Sequence, residues 1–238
     1  MTRRRWIADE VAGNAAAIVG PHADHLARVL RARVGQKFDI VANGVIRSGR
    51  VSTIGESRVE FELGEEIASG SVTTSLTLIL AIFKFDRMEW AIEKATELGV
   101  ARIIPLIAHR TDAHLASAAE KRVERWRRIA MQASEQSRRV VVPEISAPTR
   151  LRDATARTDS LKIVLSEAEE QVSLPDILTE HENSKQISLA IGPEGGWTQD
   201  ELDFFQKEGW TSVSLGPTIL RAETAAIAAV AIVMSYLA

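Results

Sequence analysis

The sequence predicts an α/β protein with a parallel sheet, preceded by a small antiparallel β unit. Three observations carry this. From Leu76 onward, near-continuous apolar runs alternate with amphipathic helical patterns, as strands buried on both faces of a parallel sheet require. Between Lys37 and Glu66 the strands are instead short and alternate polar with apolar residues around tight turns, the pattern of a small barrel. The chain of 238 residues, 45% hydrophobic and 26% charged, has ordinary globular composition and the length of one large or two small domains. Ser69-Gly70-Ser71 reads as the linker, giving domains at 1–70 and 71–238.

His22–Gly35 reads as a short helix with Leu26, Val29 and Leu30 inward and Arg28, Arg31 and Arg33 outward. Strands at Lys37–Val41 and Val45–Val51 flank Asn43-Gly44, a dipeptide suited to the positive φ of a tight hairpin; Val59, Phe61 and Leu63 then alternate with Glu60 and Glu62. Leu76–Phe83 is a buried strand. Asp86 is the expected cap of a helix to Leu98, with Met88, Ala91, Ile92 and Ala95 along one stripe and Gly99 as its stop. A strand at Ile103–Ile107 precedes a helix over Ala116–Ser137 with Val123, Trp126, Ala130 and Ala133 inward. Strands are expected at Val140–Ile145, Leu161–Ser166, Ile187–Ile191 and Ser212–Leu215. Thr198 and Glu201 form a capping box for a helix closed by Gly209, and Ala222–Ala238 is a helix apolar around most of its circumference, hence buried.

Composition narrows the chemistry. Without cysteine there is no disulfide framework, thiolate nucleophile or Cys-based zinc site, and the five histidines (His22, His25, His109, His114, His181) show no metal-ligand spacing, so no metal is expected. The amino-terminal charges are not followed by a signal-peptide apolar run, and Ala225–Ala238 is too short for the ~20 residues of a membrane span. A cytoplasmic protein with no membrane partner is the expectation. The net charge of −3 conceals segregation. Residues 1–50 hold nine basic residues against four acids and residues 121–139 seven against two, while 150–210 hold six against thirteen. Two basic regions on an acidic chain fit contact with a polyanion, or two solvated helix faces.

In an open parallel sheet, ligands sit beyond the carboxyl ends of the strands. Three such ends carry unusual loops: Leu165-Ser166-Glu167, Gly192-Pro193-Glu194-Gly195-Gly196, and Leu215 through Leu220. The second, with three glycines and a proline in five residues, makes a stiff turn that lets backbone approach a ligand; taken alone it is also an ordinary strand-to-helix turn. Neither GxGxxG nor GxxxxGK[ST] occurs early in the chain, and no GxSxG elbow is present, which sets aside Rossmann, Walker and α/β-hydrolase chemistry.

IGPEGGWTQDE (Ile191–Glu201) followed by LGPTILRAETAAIAA (Leu215–Ala229) resembles the signature pair of the RsmE-type 16S rRNA uridine-N3 methyltransferases of the SPOUT superfamily. HLARVLRARVG (His25–Gly35), the Lys84–Val100 run and RWRRIAMQASEQSRR (Arg125–Arg139) extend the resemblance over essentially the whole chain. It implies a PUA-like RNA-binding barrel at 1–70 and a SPOUT domain at 71–238. That domain would bind S-adenosylmethionine in a C-terminal trefoil knot and work as a homodimer on 16S rRNA or the assembled small subunit. By carry-over, Leu165, Ser166 and Glu167 form one wall of the cofactor site, Gly192, Pro193, Glu194, Gly195 and Gly196 a second, and Leu215, Gly216, Ile219 and Leu220 the third. The chain departs from the family pattern at Thr218 (usually Arg), Ala222 (usually Thr) and Trp197 (more often Phe).

Methylation of uridine N3 needs removal of a proton that the base keeps in neutral water, so a proton acceptor and a cation near the O2/O4 oxygens are expected. Arg221 is the candidate cation, and Glu194 or Glu223 accepts the proton or positions the group that does, since each flanks a cofactor-loop match; the alternatives are a helix-start charge for Glu223 and a structural salt bridge for Arg221. Arg3, Arg4, Arg28, Arg31, Arg125, Arg138 and Arg139 are expected to meet RNA, mainly through phosphates, with Arg138 and Arg139 alternatively reaching a partner's active site. Trp6 and Trp126 are apolar packing residues or base-stacking ones. A second reading of the same sequence is a catalytically idle RNA-binding or ribosome-assembly protein that keeps the fold; a third is a tRNA-directed SPOUT enzyme.

Overall fold

The structure is a computed structural model and describes residues 5–68, 75–137, 139–156 and 161–237. The Ser69-Gly70-Ser71 linker, Arg3, Arg4 and Arg138 lie outside the described residues. Two compact units are present, one within Met1–Ser71 and Ser134–Val141, the other within Val72–Ala133 and Val142–Ala238.

In the first unit, strands β1 (Arg5–Ile7), β2 (Glu10–Ala12) and β3 (Ala15–Val19) precede a one-turn helix α1 (Pro21–Asp24) and a π-turn over His25–Val29. Strands β4 (Lys37–Ala42), β5 (Val45–Gly55) and β6 (Arg58–Ala68) follow. They form a curled six-stranded sheet in the order β1-β4-β5-β6-β3-β2, with only the β1–β4 pair parallel. Asn43 (φ 52°) and Gly44 (φ 78°) both take positive φ, as the hairpin expectation requires. Register shifts in the β5–β6 ladder help to bend the sheet, and Gly49 leaves room for Ile40, whose side chain a Cβ there would overlap. Ile18, Leu26, Ile40, Val59 and Phe61 fill the concave side.

One expectation in this unit fails. Leu26 is buried, but Val29 is 65% exposed. The Leu30 N–H bonds to the His25 carbonyl five residues back, and this wider turn rotates Val29 off the apolar stripe. Strands β1–β3 were not expected at all.

The second unit is a parallel sheet. Its elements run β7 (Ser75–Ala81), α2 (Phe85–Leu98), β8 (Arg102–Ile107), α3 (Ala113–Ala118), a 3₁₀ turn (Ala119–Arg122), α4 (Val123–Gln136), β9 (Glu144–Ile145) and β10 (Thr149–Arg150). Then come α5 (Leu151–Thr155), β11 (Leu161–Leu165), α6 (Leu174–Glu180), β12 (Gln186–Ile191), α7 (Gln199–Lys207), β13 (Thr211–Val213) and α8 (Ala222–Leu237). The strand order is β10-β8-β7-β12-β11-β13, with β9 also on β8. Thus β12 enters between β7 and the earlier strand β11, and the carboxyl ends of β11, β12 and β13 lie side by side.

Leu76, Leu78 and Leu80 face one apolar layer and Ile79 and Ala81 the other, which explains the unbroken apolar run. Helices α2 and α8 pack in the first layer, where Gly99 (φ 114°) closes α2; a Cβ on it would come within 2.8 Å of the Met234 methyl. The Thr198–Glu201 capping box forms as expected. Asp86, however, is not a cap. Lys84 precedes the first turn without a side-chain bond, and Phe85 joins the helix because its ring packs edge-on against Trp126, centroids 6.1 Å apart. The helix expected over Ala116–Ser137 is divided, with Asp112 capping α3 and Ala119 packed completely into the core at the break. Trp126, Ala130 and Ala133 are buried as their spacing predicts. The strand expected at Val140–Ile145 shrinks to Glu144–Ile145, and α5, α6 and β10 were not expected.

Candidate active site

The loops after β11, β12 and β13 enclose a cavity of about 950 Å³, into which the first turns of α2 and α8 also project. Every residue assigned to the cofactor loops from sequence lines it except Gly195: Leu165, Ser166, Glu167, Gly192, Pro193, Glu194, Gly196, Leu215, Gly216, Ile219 and Leu220. Arg221 lines it too, whereas Glu223 does not.

The first wall follows β11 into a turn, where Ser166 Oγ accepts the Ala168 N–H at 3.2 Å. Just beyond, Glu169 accepts the Gln171 and Val172 N–H groups at 2.8 and 3.1 Å, and these bonds hold its carboxyl below the ordinary range. The second wall is closed by a bond from the Gly196 N–H to the Pro193 carbonyl (2.8 Å), with Gly196 at φ +71°. Behind it, buried Trp197 donates its indole N–H to the Leu165 carbonyl at 2.8 Å and stacks edge-on against Phe205. This fixes the second loop to the first and gives Trp197 a bond that phenylalanine cannot make. A Cβ on Gly192 would lie 3.2 Å from the Trp197 ring, a tight contact that would have to push the ring back by a few tenths of an ångström. The third wall turns at Gly216 (φ 113°) and exposes Ile219, 83% accessible, at the rim.

The charged groups are arranged unevenly. Glu167, Glu169, Glu170 and Glu194 line the cavity against Arg87 and Arg221, an excess of negative charge that suits a cationic ligand. Arg87 donates to Glu194 at 2.8 Å and lies 3.6 Å from Glu223. Glu223 is 5% exposed, and its second carboxylate oxygen is buried without a hydrogen-bond partner among the described residues. The Arg221 guanidinium, exposed at the start of α8, has no side-chain partner among the described residues and is free to meet a ligand. Arg87 was missed as a site residue although it sits inside the Lys84–Val100 motif. Arg110, which donates to the Gly195 carbonyl at 2.6 Å, carried no sequence signal.

The basic residues separate by environment. Arg28 and Arg31 are exposed on the first unit. Arg139 is half-buried, and burial lowers its guanidinium to about 10, leaving it protonated at neutral pH. Arg125 grips Glu89 with two bonds of 2.7 Å, while Arg122 lies 4.7 Å over the Phe85 ring, so part of the basic helix works within the fold. Trp126 is fully buried, which makes it a packing residue. Among the described residues no cluster of three or more His, Asp or Glu could hold a metal, and no helix is long and apolar enough to cross a membrane.

The fold and cavity define an RNA methyltransferase domain, and the model of that family matches residues 71–234. Over 214 residues the chain is 34% identical to the ribosomal RNA small subunit methyltransferase E of Rickettsia conorii, covering 88% of this chain and 85% of the relative. The crystal structure of the Neisseria gonorrhoeae ribosomal RNA small subunit methyltransferase E, bound to S-adenosyl methionine, is 30% identical and superposes with a TM-score of 0.83 over 98% of both chains. A Legionella pneumophila structure in complex with the same cofactor is 26% identical, with a TM-score of 0.84 over 99% of this chain and 98% of that one. This chain belongs to the ribosomal RNA small subunit methyltransferase E family.

Proposed function

We propose that this protein transfers a methyl group from S-adenosylmethionine to N3 of a uridine in 16S rRNA. The observation that carries the proposal is the cavity walled by three adjacent strand-end loops, in a chain whose relative of the same family is solved with that cofactor. The residues fit the group. Glycines at 192, 196 and 216 permit close backbone approach, apolar Leu165, Leu215 and Ile219 suit an adenosine, and the acidic lining suits a sulfonium and an ammonium. When bound, S-adenosylmethionine supplies a methyl group already activated as a sulfonium.

The chain's own task is to align the base and remove its proton. Glu194, at the cavity wall and oriented by Arg87, accepts the N3 proton; Arg221, which lines the cavity and has no side-chain partner among the described residues, stabilises the charge that develops on the uracil O2 and O4. Glu223, buried outside the cavity, takes the second of the two roles expected for it: it holds Arg87 and through it positions Glu194.

The finer architecture belongs to the same proposal. Insertion of β12 between β7 and the earlier β11 is the strand order that a chain threaded at its C-terminal part would need, and it supports a SPOUT trefoil knot within 71–238. The curled sheet with exposed Arg28 and Arg31 supports a PUA-like RNA-binding unit at 1–70. Ile227 and Ile232 of the apolar helix α8 remain only partly buried in a single chain, which supports a homodimer through that helix. Charge reversal Arg28→Glu is expected to weaken rRNA binding several-fold and flatten its salt dependence while leaving cofactor affinity unchanged, measured by filter binding at two salt concentrations and by calorimetry.

Nucleoside mass spectrometry of 16S rRNA from a deletion strain tests the function directly. Loss of 3-methyluridine, restored by the wild-type chain and not by an Arg221→Ala chain, is the expected outcome. Unaltered 3-methyluridine in the deletion strain would contradict the proposal.

A further inference from the structure

We infer that Arg110, held in place by Glu201, is a positioning residue that braces the Gly192–Gly196 turn in the shape that receives the methyl donor. The inference rests on the cofactor reading above.

A turn with three glycines in five residues has a large backbone entropy to lose, so its shape must be imposed from outside. Pro193 and the Gly196–Pro193 bond restrain its middle. A further restraint, on its back, comes from the segment after β8. Arg110 Nη1 donates to the Gly195 carbonyl at 2.6 Å, and its aliphatic stem runs alongside, with Cδ 3.4 Å from where a Gly195 Cβ would stand. On Gly196 the Glu167 carboxylate closes in, its Oε1 2.7 Å from the position of a Cβ there. Gly195 does not line the cavity whereas Glu194 and Gly196 on either side do, so Arg110 grips the back of the turn and leaves its front to the ligand.

Arg110 is exposed, and an exposed arginine holds a fixed geometry only if its backbone is fixed. Glu201, 7% exposed, provides this. One carboxylate oxygen accepts the His109 N–H at 2.8 Å, and the other accepts the Thr198 N–H at 2.9 Å and its hydroxyl at 3.1 Å. The Thr111 hydroxyl accepts the Ala108 N–H at 3.0 Å and tightens the same segment. The result is a closed ring: along the chain from Gly195 to Glu201, across to His109, and back from Arg110 to Gly195. Glu201 therefore does more than cap α7. It ties the helix start to the residue that holds the cofactor turn.

The test uses the full chain with Arg110→Ala and Arg110→Lys, followed by calorimetry with S-adenosylmethionine, hydrogen exchange of the Gly195–Trp197 amides and thermal unfolding without ligand. Arg110→Ala should weaken cofactor binding by about tenfold, the loss of one charge-assisted bond at a pre-set site, and speed exchange locally. Melting and the KM for RNA should stay near wild type. Arg110→Lys, which keeps a donor, should recover part of the affinity, and added guanidinium should partly rescue Arg110→Ala. Wild-type affinity in Arg110→Ala with unchanged exchange would overturn the inference, as would faster exchange throughout the unit with lowered melting, which marks a purely structural role. Failure of the wild-type chain itself to bind would overturn the cofactor reading instead.

Discussion

Replacing Arg221 with alanine is expected to lower kcat by ~10²–10³-fold, the usual loss when one preorganised donor to a developing oxyanion is removed. The group is suited to this task because it lines the cavity at the start of α8, is exposed, and has no side-chain partner among the described residues that the ligand must first displace. Its removal should leave the fold intact, since among the described residues no hydrogen bond or ion pair of the side chain supports it. Steady-state kinetics on small-subunit RNA, with calorimetry and melting as companions, check the result. A fall in kcat with cofactor affinity and melting unchanged is expected; wild-type kcat in a folded variant would remove Arg221 from the mechanism.

Substituting Gly192 by valine should instead lower turnover through weakened cofactor binding. The added Cβ meets the Trp197 ring at 3.2 Å, a ring held by the Leu165 carbonyl and Phe205, and the two methyls beyond it would intrude on the loop packing or the cavity. Overpacking of this kind costs ~1–3 kcal/mol of folding stability, and where the loop moves to relieve it the ligand's site is narrowed. Calorimetry should find S-adenosylmethionine binding reduced by at least about tenfold. The contrast with Arg221→Ala separates the role proposed for Gly192, in holding the donor, from that proposed for Arg221, in stabilising the acceptor.

The second wall of the cavity was legible as a place of close backbone approach because Gly192–Gly196 gathers three glycines and a proline in a short span, while the first wall, without either residue type, was marked by its place at a strand end and by the family resemblance. The Thr198–Glu201 box was legible for the same reason, since a cap is decided within four residues. What sequence reading missed depends on distant partners. Strands β1 and β2, three residues each, exist through pairing with β4 and β3, and no local propensity announces so short a strand. The break between α3 and α4 arises where Ala119 enters the core, in a stretch whose own propensity is helical. Arg87 meets Glu194 across 107 positions and Arg110 meets Gly195 across 85. Periodicity is blind to both. For Glu223 the sequence left two roles open, proton acceptor or the group that positions one; at the start of α8 the carboxylate lies inward, 3.6 Å from Arg87, a distant partner that decides between them.

The most direct measurement is a crystal structure of this chain grown with S-adenosylmethionine. The donor is expected inside the three strand-end loops, its adenosine against Leu165 and Leu215 and its methyl directed toward Glu194 and Arg221. Donor bound at any other place, or these loops closed against it, would contradict the account.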